Sequence, residues 1–86
     1  MNINELIKIV KNKLEAKIVI QDLKIEDKSF LHKNHKGNQE GMFHLKLIIK
    51  SEELKKLNKI ESTKKIYNIL DDELKEHIHS IQILLS

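Results

Sequence analysis

Eighty-six residues allow one domain, residues 1–86, with a single modest core and no room for a second. The absence of cysteine excludes disulfides, thiolate catalysis and cysteine-based metal sites from this chain alone, so a metal here would be taken by histidine or carboxylate, with further ligands from a partner. A net charge of +3 and a pI near 9.1 give mild attraction to polyanions, but all sixteen basic residues are lysine, which suits phosphate contact better than the bidentate reading of guanine that arginine makes.

No apolar run is long enough to span a bilayer, and Glu5 with the recurring lysines makes the first ten residues unlike a signal peptide. A soluble intracellular protein with no membrane partner is expected. Residues 2–19 read as a first helix, because Ile3, Leu6, Ile7, Val10, Leu14 and Ile18 recur at three- and four-residue steps. Asn2 with Glu5 three residues later forms a cap pair. The β-branched run at residues 17–21 can either end this helix or begin a strand.

Leu23, Ile25 and Asp27 alternate with Lys24 and Glu26, which predicts a short strand with one wet face. Residues 28–41 carry both glycines, two histidines, three lysines and two asparagines, a connection long enough to suggest a functional loop. Phe43, Leu45, Leu47 and Ile49 alternate with His44, Lys46, Ile48 and Lys50, a second strand antiparallel to the first. Ser51 followed by Glu52 and Glu53 reads as an N-cap with acids in the first turn of a short helix reaching about Leu57. Residues 58–61 read as a break, and Ser62 or Thr63 caps a main helix running to about His77.

The final strand begins at Ile78, where the apolar period changes from helical to two. Strict alternation groups His79 with Ile81, Ile83 and Leu85, and Ile78 with Ser80, Gln82 and Leu84. Apolar residues on both faces predict a strand inside the sheet. The order is α-β-β-α-α-β, which implies an α+β domain with a three-stranded mixed sheet and helices packed on one face. The last strand is expected beside one of the hairpin strands after a helical crossover.

Five histidines stand out in a chain with three aromatics. His32 and His35 lie three apart in the long loop, His44 starts the second strand, and His77 and His79 flank the last junction. Imidazole ligates metals and titrates near physiological pH. Loop histidines can equally be solvated, and a histidine at a strand head can be a hydrogen-bonded structural residue. His44 reads as part of the sheet's polar face, and His77, beside Glu76, as a partner of a helix dipole. Asp71, Asp72 and Glu73 read as a solvated acidic face. No nucleophile–base set, H-E-x-x-H or phosphate loop is visible, and Gly37 and Gly41 have no G-K-[ST] after them, so a non-catalytic protein is expected.

Taken together these stretches resemble the BolA family over nearly the whole chain. Residues 23–29 (LKIEDKS) look like the family's L-x-V-x-D-E-S strand end, and His32 and His35 fall where its long-loop branch has S-x-x-H-x-x-H. His44-Leu45-Lys46 through Ser51 is similar to H-F-x-V…V-S. Tyr67…Leu70…Glu73-Leu74 followed by Ile78-His79-Ser80-Ile81 resembles V-Y…L-x-x-E-L…I-H-A-L, with His79 on the family's most characteristic histidine. The family's R-H-R stands here as Ser62-Thr63-Lys64, its loop glycine as Asn34, and its phenylalanine after the strand histidine as Leu45.

The resemblance implies a fold similar to class II KH domains without the G-x-x-G loop. It also implies partnership with a monothiol glutaredoxin, the chain being a monomer alone and a heterodimer with its partner, in the bacterial cytoplasm or, for a eukaryotic source, an organelle matrix. The pair would share a [2Fe–2S] cluster, glutaredoxin and glutathione giving thiolates and this chain giving His79 and a loop residue, His32 or alternatively His35. No cluster is expected on the isolated chain. Two imidazoles on one iron are an established variant of thiolate ligation, and neutral imidazole is needed, so acid is expected to weaken the site. The family's other description, a DNA-binding transcriptional regulator, finds its motive in the helix–turn–helix-like residues 52–77, with Lys55, Lys56, Lys59, Lys64 and Lys65 as phosphate contacts; a solvated lysine face accounts for the same residues.

Overall fold

The computed structural model describes residues 2–29 and 42–86. Helix α1 spans Ile3–Lys17. The Asn2 side chain accepts the Glu5 N–H at 2.8 Å and donates back to the Glu5 carboxylate at 3.1 Å, the expected reciprocal cap. The helix stops two residues short of Val19, because Ile18 is extended at φ −133° and carries the chain into the sheet. Strands β1 (Asp22–Asp27) and β2 (Phe43–Lys50) pair antiparallel, Asp22 opposite Lys50 and Asp27 opposite Leu45.

Ser51 caps α2 (Glu52–Lys55), accepting the Leu54 N–H and donating to the Val19 carbonyl at 2.7 Å. The next helix departs from expectation at both ends. Helix α3 (Lys59–Ile69) starts where a break was expected, since Asn58 and Glu61 repeat the reciprocal cap of Asn2 and Glu5. Ser62, no cap at all, is buried and donates to the Leu54 carbonyl at 3.0 Å, tying α3 to α2. The helix does not run unbroken to His77: Leu70, at φ −99° and ψ 18°, separates it from α4 (Asp71–Glu76). That break gathers three acids in a new first turn, where the helix dipole favours them.

Strand β3 (Ile78–Leu85) pairs parallel to β2 after the helical crossover. The order β1-β2-β3 makes it an edge strand, not an interior one; Leu84, which suggested a second covered face, is exposed. Leu45, Leu47 and Ile49 of β2 meet Leu6, Val10 and Leu14 of α1, Ile18 just past its end, Leu54 of α2, Ile66 of α3, Leu70 between α3 and α4, and Ile78 in one buried core. Each such side chain contributes roughly 1.5–3 kcal/mol on burial. Leu23, Ile25, Ile81, Ile83 and Leu85 pack on the same side, and among the described residues no helix covers the opposite face of the sheet.

Candidate functional site at the head of the third strand

The register of β2 and β3 is irregular at one place. Phe43 lies opposite Ile78, and the next residue, His44, lies opposite Ser80. His79 is therefore an extra residue, a β-bulge that two requirements explain. Ile78 must be buried, and Ile81, three residues on, must also face the core; a regular strand puts residues three apart on opposite sides. The bulge corrects the expected grouping: Ile78 belongs with Ile81, Ile83 and Leu85, and His79 does not share their core-facing side.

His79 is exposed, and among the described residues its ring nitrogens have no hydrogen-bond partner. Its ring lies 5.0 Å from that of His44, centroid to centroid, at an interplanar angle of 50°. His44 shares the polar side of the sheet with Ser80, as its alternation implied, but it is not solvated, being 5% exposed. A 2.6 Å hydrogen bond joins its Nδ1 to Ser80 Oγ. Its backbone is held as well, the N–H donating to Ser29 Oγ at 3.1 Å and the carbonyl accepting the Lys28 N–H at 2.7 Å. The Asp27 carboxylate in turn accepts the Ser29 N–H at 2.9 Å. The start of the long connection is thus stitched to the residue that touches His79. His44 was missed as a neighbour of His79 because the contact crosses strands and follows from the bulge.

His77 ends α4, its carbonyl accepting the Phe43 N–H at 2.8 Å and its Nε2 lying 3.7 Å from Glu76. His32 and His35 lie outside the described residues. Among the described residues no group of three or more histidine or carboxylate side chains is disposed to hold a metal ion. One unengaged, exposed imidazole fits a single coordination position, so the remaining donors would come from residues 30–41 or from a second molecule.

The acidic run is not uniformly solvated. Glu73 is 7% exposed, and Lys13 of α1 donates to its Oε2 at 2.7 Å, the contact that chiefly raises the Lys13 pKa above its usual value. The pair holds α4, and with it the start of β3, against α1. Of the five candidate phosphate-binding lysines, Lys65 donates to Glu53 at 2.7 Å, and Lys55 lies 3.8 Å from Glu52. Lys56 ends α2 and Lys59 opens α3, while Lys64 is exposed on α3. Lys55 and Lys59 border a cavity of about 430 Å³ between these helices and the end of β3. Among the described residues no helix is long and apolar enough to cross a membrane.

A family model described as BolA-like protein matches residues 14–86. A DNA-binding transcriptional regulator BolA of Haemophilus influenzae is 30% identical over 77 residues, covering 90% of this chain and 72% of that protein. SufE-like protein 1, chloroplastic/mitochondrial, of Arabidopsis thaliana is 29% identical over 80 residues, which are 87% of this chain but only 22% of the longer protein. Among solved structures, the BolA domain of SufE1 from Arabidopsis thaliana superposes with a TM-score of 0.78 at 27% identity, covering 100% of this chain and 93% of that one. BolA1 from the same plant gives 0.76 at 26% identity, over 90% of this chain and 85% of that one.

Proposed function

Since the chain belongs to the BolA-like family, we propose that it is a non-catalytic adaptor that binds a monothiol glutaredoxin and shares a [2Fe–2S] cluster with it, in iron–sulfur trafficking or regulation. His79 is the ligand from the terminal strand, and His32, or His35 in its place, the ligand from the loop. Glutaredoxin and glutathione supply the thiolates that a chain without cysteine cannot. When bound, such a cluster supplies one-electron chemistry at a potential raised by imidazole ligation.

The observation that carries this reading is the bulged, exposed His79, whose ring nitrogens are unengaged among the described residues. A buried ring with both nitrogens hydrogen-bonded would have none to give. Mixing the chain with cluster-loaded monothiol glutaredoxin should yield a heterodimer with a shifted visible spectrum. His79→Ala should remove that shift; a variant with unchanged spectrum and unchanged cluster lability would overturn the assignment.

A second reading, binding of DNA by a regulator, is favoured by the name of the Haemophilus influenzae relative and by Lys55, Lys56 and Lys59 flanking the turn between α2 and α3. Lysine contacts to phosphate give an affinity that falls steeply with salt and does not distinguish sequences. Titrating two unrelated duplexes at two salt concentrations tests it: no binding at low salt removes this reading, and sequence discrimination would show contacts beyond phosphate.

A further inference from the structure

In a regular ladder each side chain is flanked by that of its cross-strand partner. His79, as the extra residue of a bulge, has no such partner, and its ring contact among the described residues is with His44. An exposed imidazole without neighbours samples several rotamers, and each ligand that must be fixed on binding weakens the site. His44 is well placed to restrict this freedom. It is buried, its Nδ1 is bonded to Ser80, and its backbone is bonded on both sides to residues 28 and 29. A separation of 5.0 Å and a tilt of 50° lie within the range in which aromatic rings attract.

We propose that His44 is a positioning residue, which with Ser80 holds the His79 ring ready to accept a metal from a partner. The last clause rests on the cluster-sharing reading; the restraint of His79 in the free chain does not. The same contacts link Ser29, just after the end of β1, to His79 through His44.

The test has two arms. In the free chain, NMR couplings to the His79 Hβ protons should report one dominant χ1 rotamer, with ring-proton shifts displaced by the neighbouring ring. His44→Leu should average the couplings and return the shifts toward those of an unstructured histidine. His44→Phe, which keeps a ring, should restore them in part, and Ser80→Ala should give an intermediate result. Averaged couplings in the unmodified chain, or unchanged ones in His44→Leu, would overturn the proposal. Should His44→Leu fail to fold, unchanged couplings in Ser80→Ala overturn it in the same way.

The second arm follows loss of the cluster to a chelator from the heterodimer with monothiol glutaredoxin. Residues that orient a ligand typically change metal affinity by about tenfold or more, so His44→Leu should speed release by about tenfold and His44→Phe by less. Release from His44→Leu at the unmodified rate would overturn the link to metal binding. If His79→Ala itself has no effect, the cluster reading falls, while the NMR arm still decides whether His44 restrains His79.

Discussion

The histidines at the head of β3 and the lysines of α2 and α3 are all polar, yet they differ in what already engages them. At the head of β3, burial and hydrogen bonds are spent on His44, and the neighbouring His79 is left exposed with its ring nitrogens unengaged among the described residues. On the helices the lysines divide. Lys65 is held by Glu53 at 2.7 Å and joins α3 to α2, whereas Lys59 and Lys64 form no ion pair among the described residues. Residue type alone therefore does not mark a site. A side chain is available to a partner only where the fold has not already used it.

The sharpest way to break this contrast is to exchange the two surfaces in one assay. His79→Ala should abolish the shifted spectrum of the glutaredoxin complex, whereas Lys59→Ala combined with Lys64→Ala should leave it intact and lower only the affinity for a DNA duplex. The reverse pattern would place metal chemistry on the wrong surface.

The next largest effect concerns the support of the β3 head. Lys13→Met leaves the Glu73 carboxylate buried without its cation, and Glu73 Oε1 already lacks a hydrogen bond among the described residues. A buried charge stripped of its partner is strongly destabilising, while replacing both partners by apolar groups is often neutral. Lys13→Met should lower the thermal midpoint by about 5 °C or more for a domain of this size. Adding Glu73→Leu should recover most of the loss. Cluster release from the complex of the double variant should match the unmodified chain, because the ion pair holds α4 in place and its charge faces no ligand. A midpoint unaffected by Lys13→Met would show that the pair contributes nothing to holding α4.

Much of this was legible from residue order, and the misreadings have identifiable causes. The apolar stripe of α1 and the alternation along β1 and β2 were plain because each buries one face on one core. Asn2 with Glu5 was recognised as a cap, yet the same spacing at Asn58 and Glu61 passed behind Ser62 and Thr63, equally acceptable cap residues. The bulge left a trace, since Ile78 and Ile81 are both apolar three residues apart, but only the register assigns the extra residue to His79. The burial of Glu73 left a trace as well, since Glu73 stands seven residues after Ile66 and three after Leu70, on the helical stripe that Asp71 and Asp72 miss. Its partner was not legible, because Lys13 is sixty positions away. His32 and His35 lie outside the described residues, so the loop half of the ligand set rests on sequence resemblance.

The smallest expected effect tests whether Lys65 belongs to the fold or to a partner. Glu53 is held below the ordinary carboxylate value of 4.5, first by the hydrogen bond from Lys65 and then by the Val19 N–H. A carboxyl whose pKa is lower folded than unfolded adds stability above the unfolded value and loses it as the pH falls through the folded one. The thermal midpoint should therefore drop more steeply below about pH 4.5 in the unmodified chain than in Glu53→Gln. Because the pair is partly exposed, the difference should be only about 2 °C and should shrink in high salt. Lys65→Met should remove the larger part of that acid-dependent component, leaving the part due to the Val19 N–H, and Lys64→Met should not change it. Identical acid profiles for the unmodified chain and Lys65→Met would mean that Lys65 contributes nothing to holding α2 against α3, and would return it to the set of lysines open to phosphate.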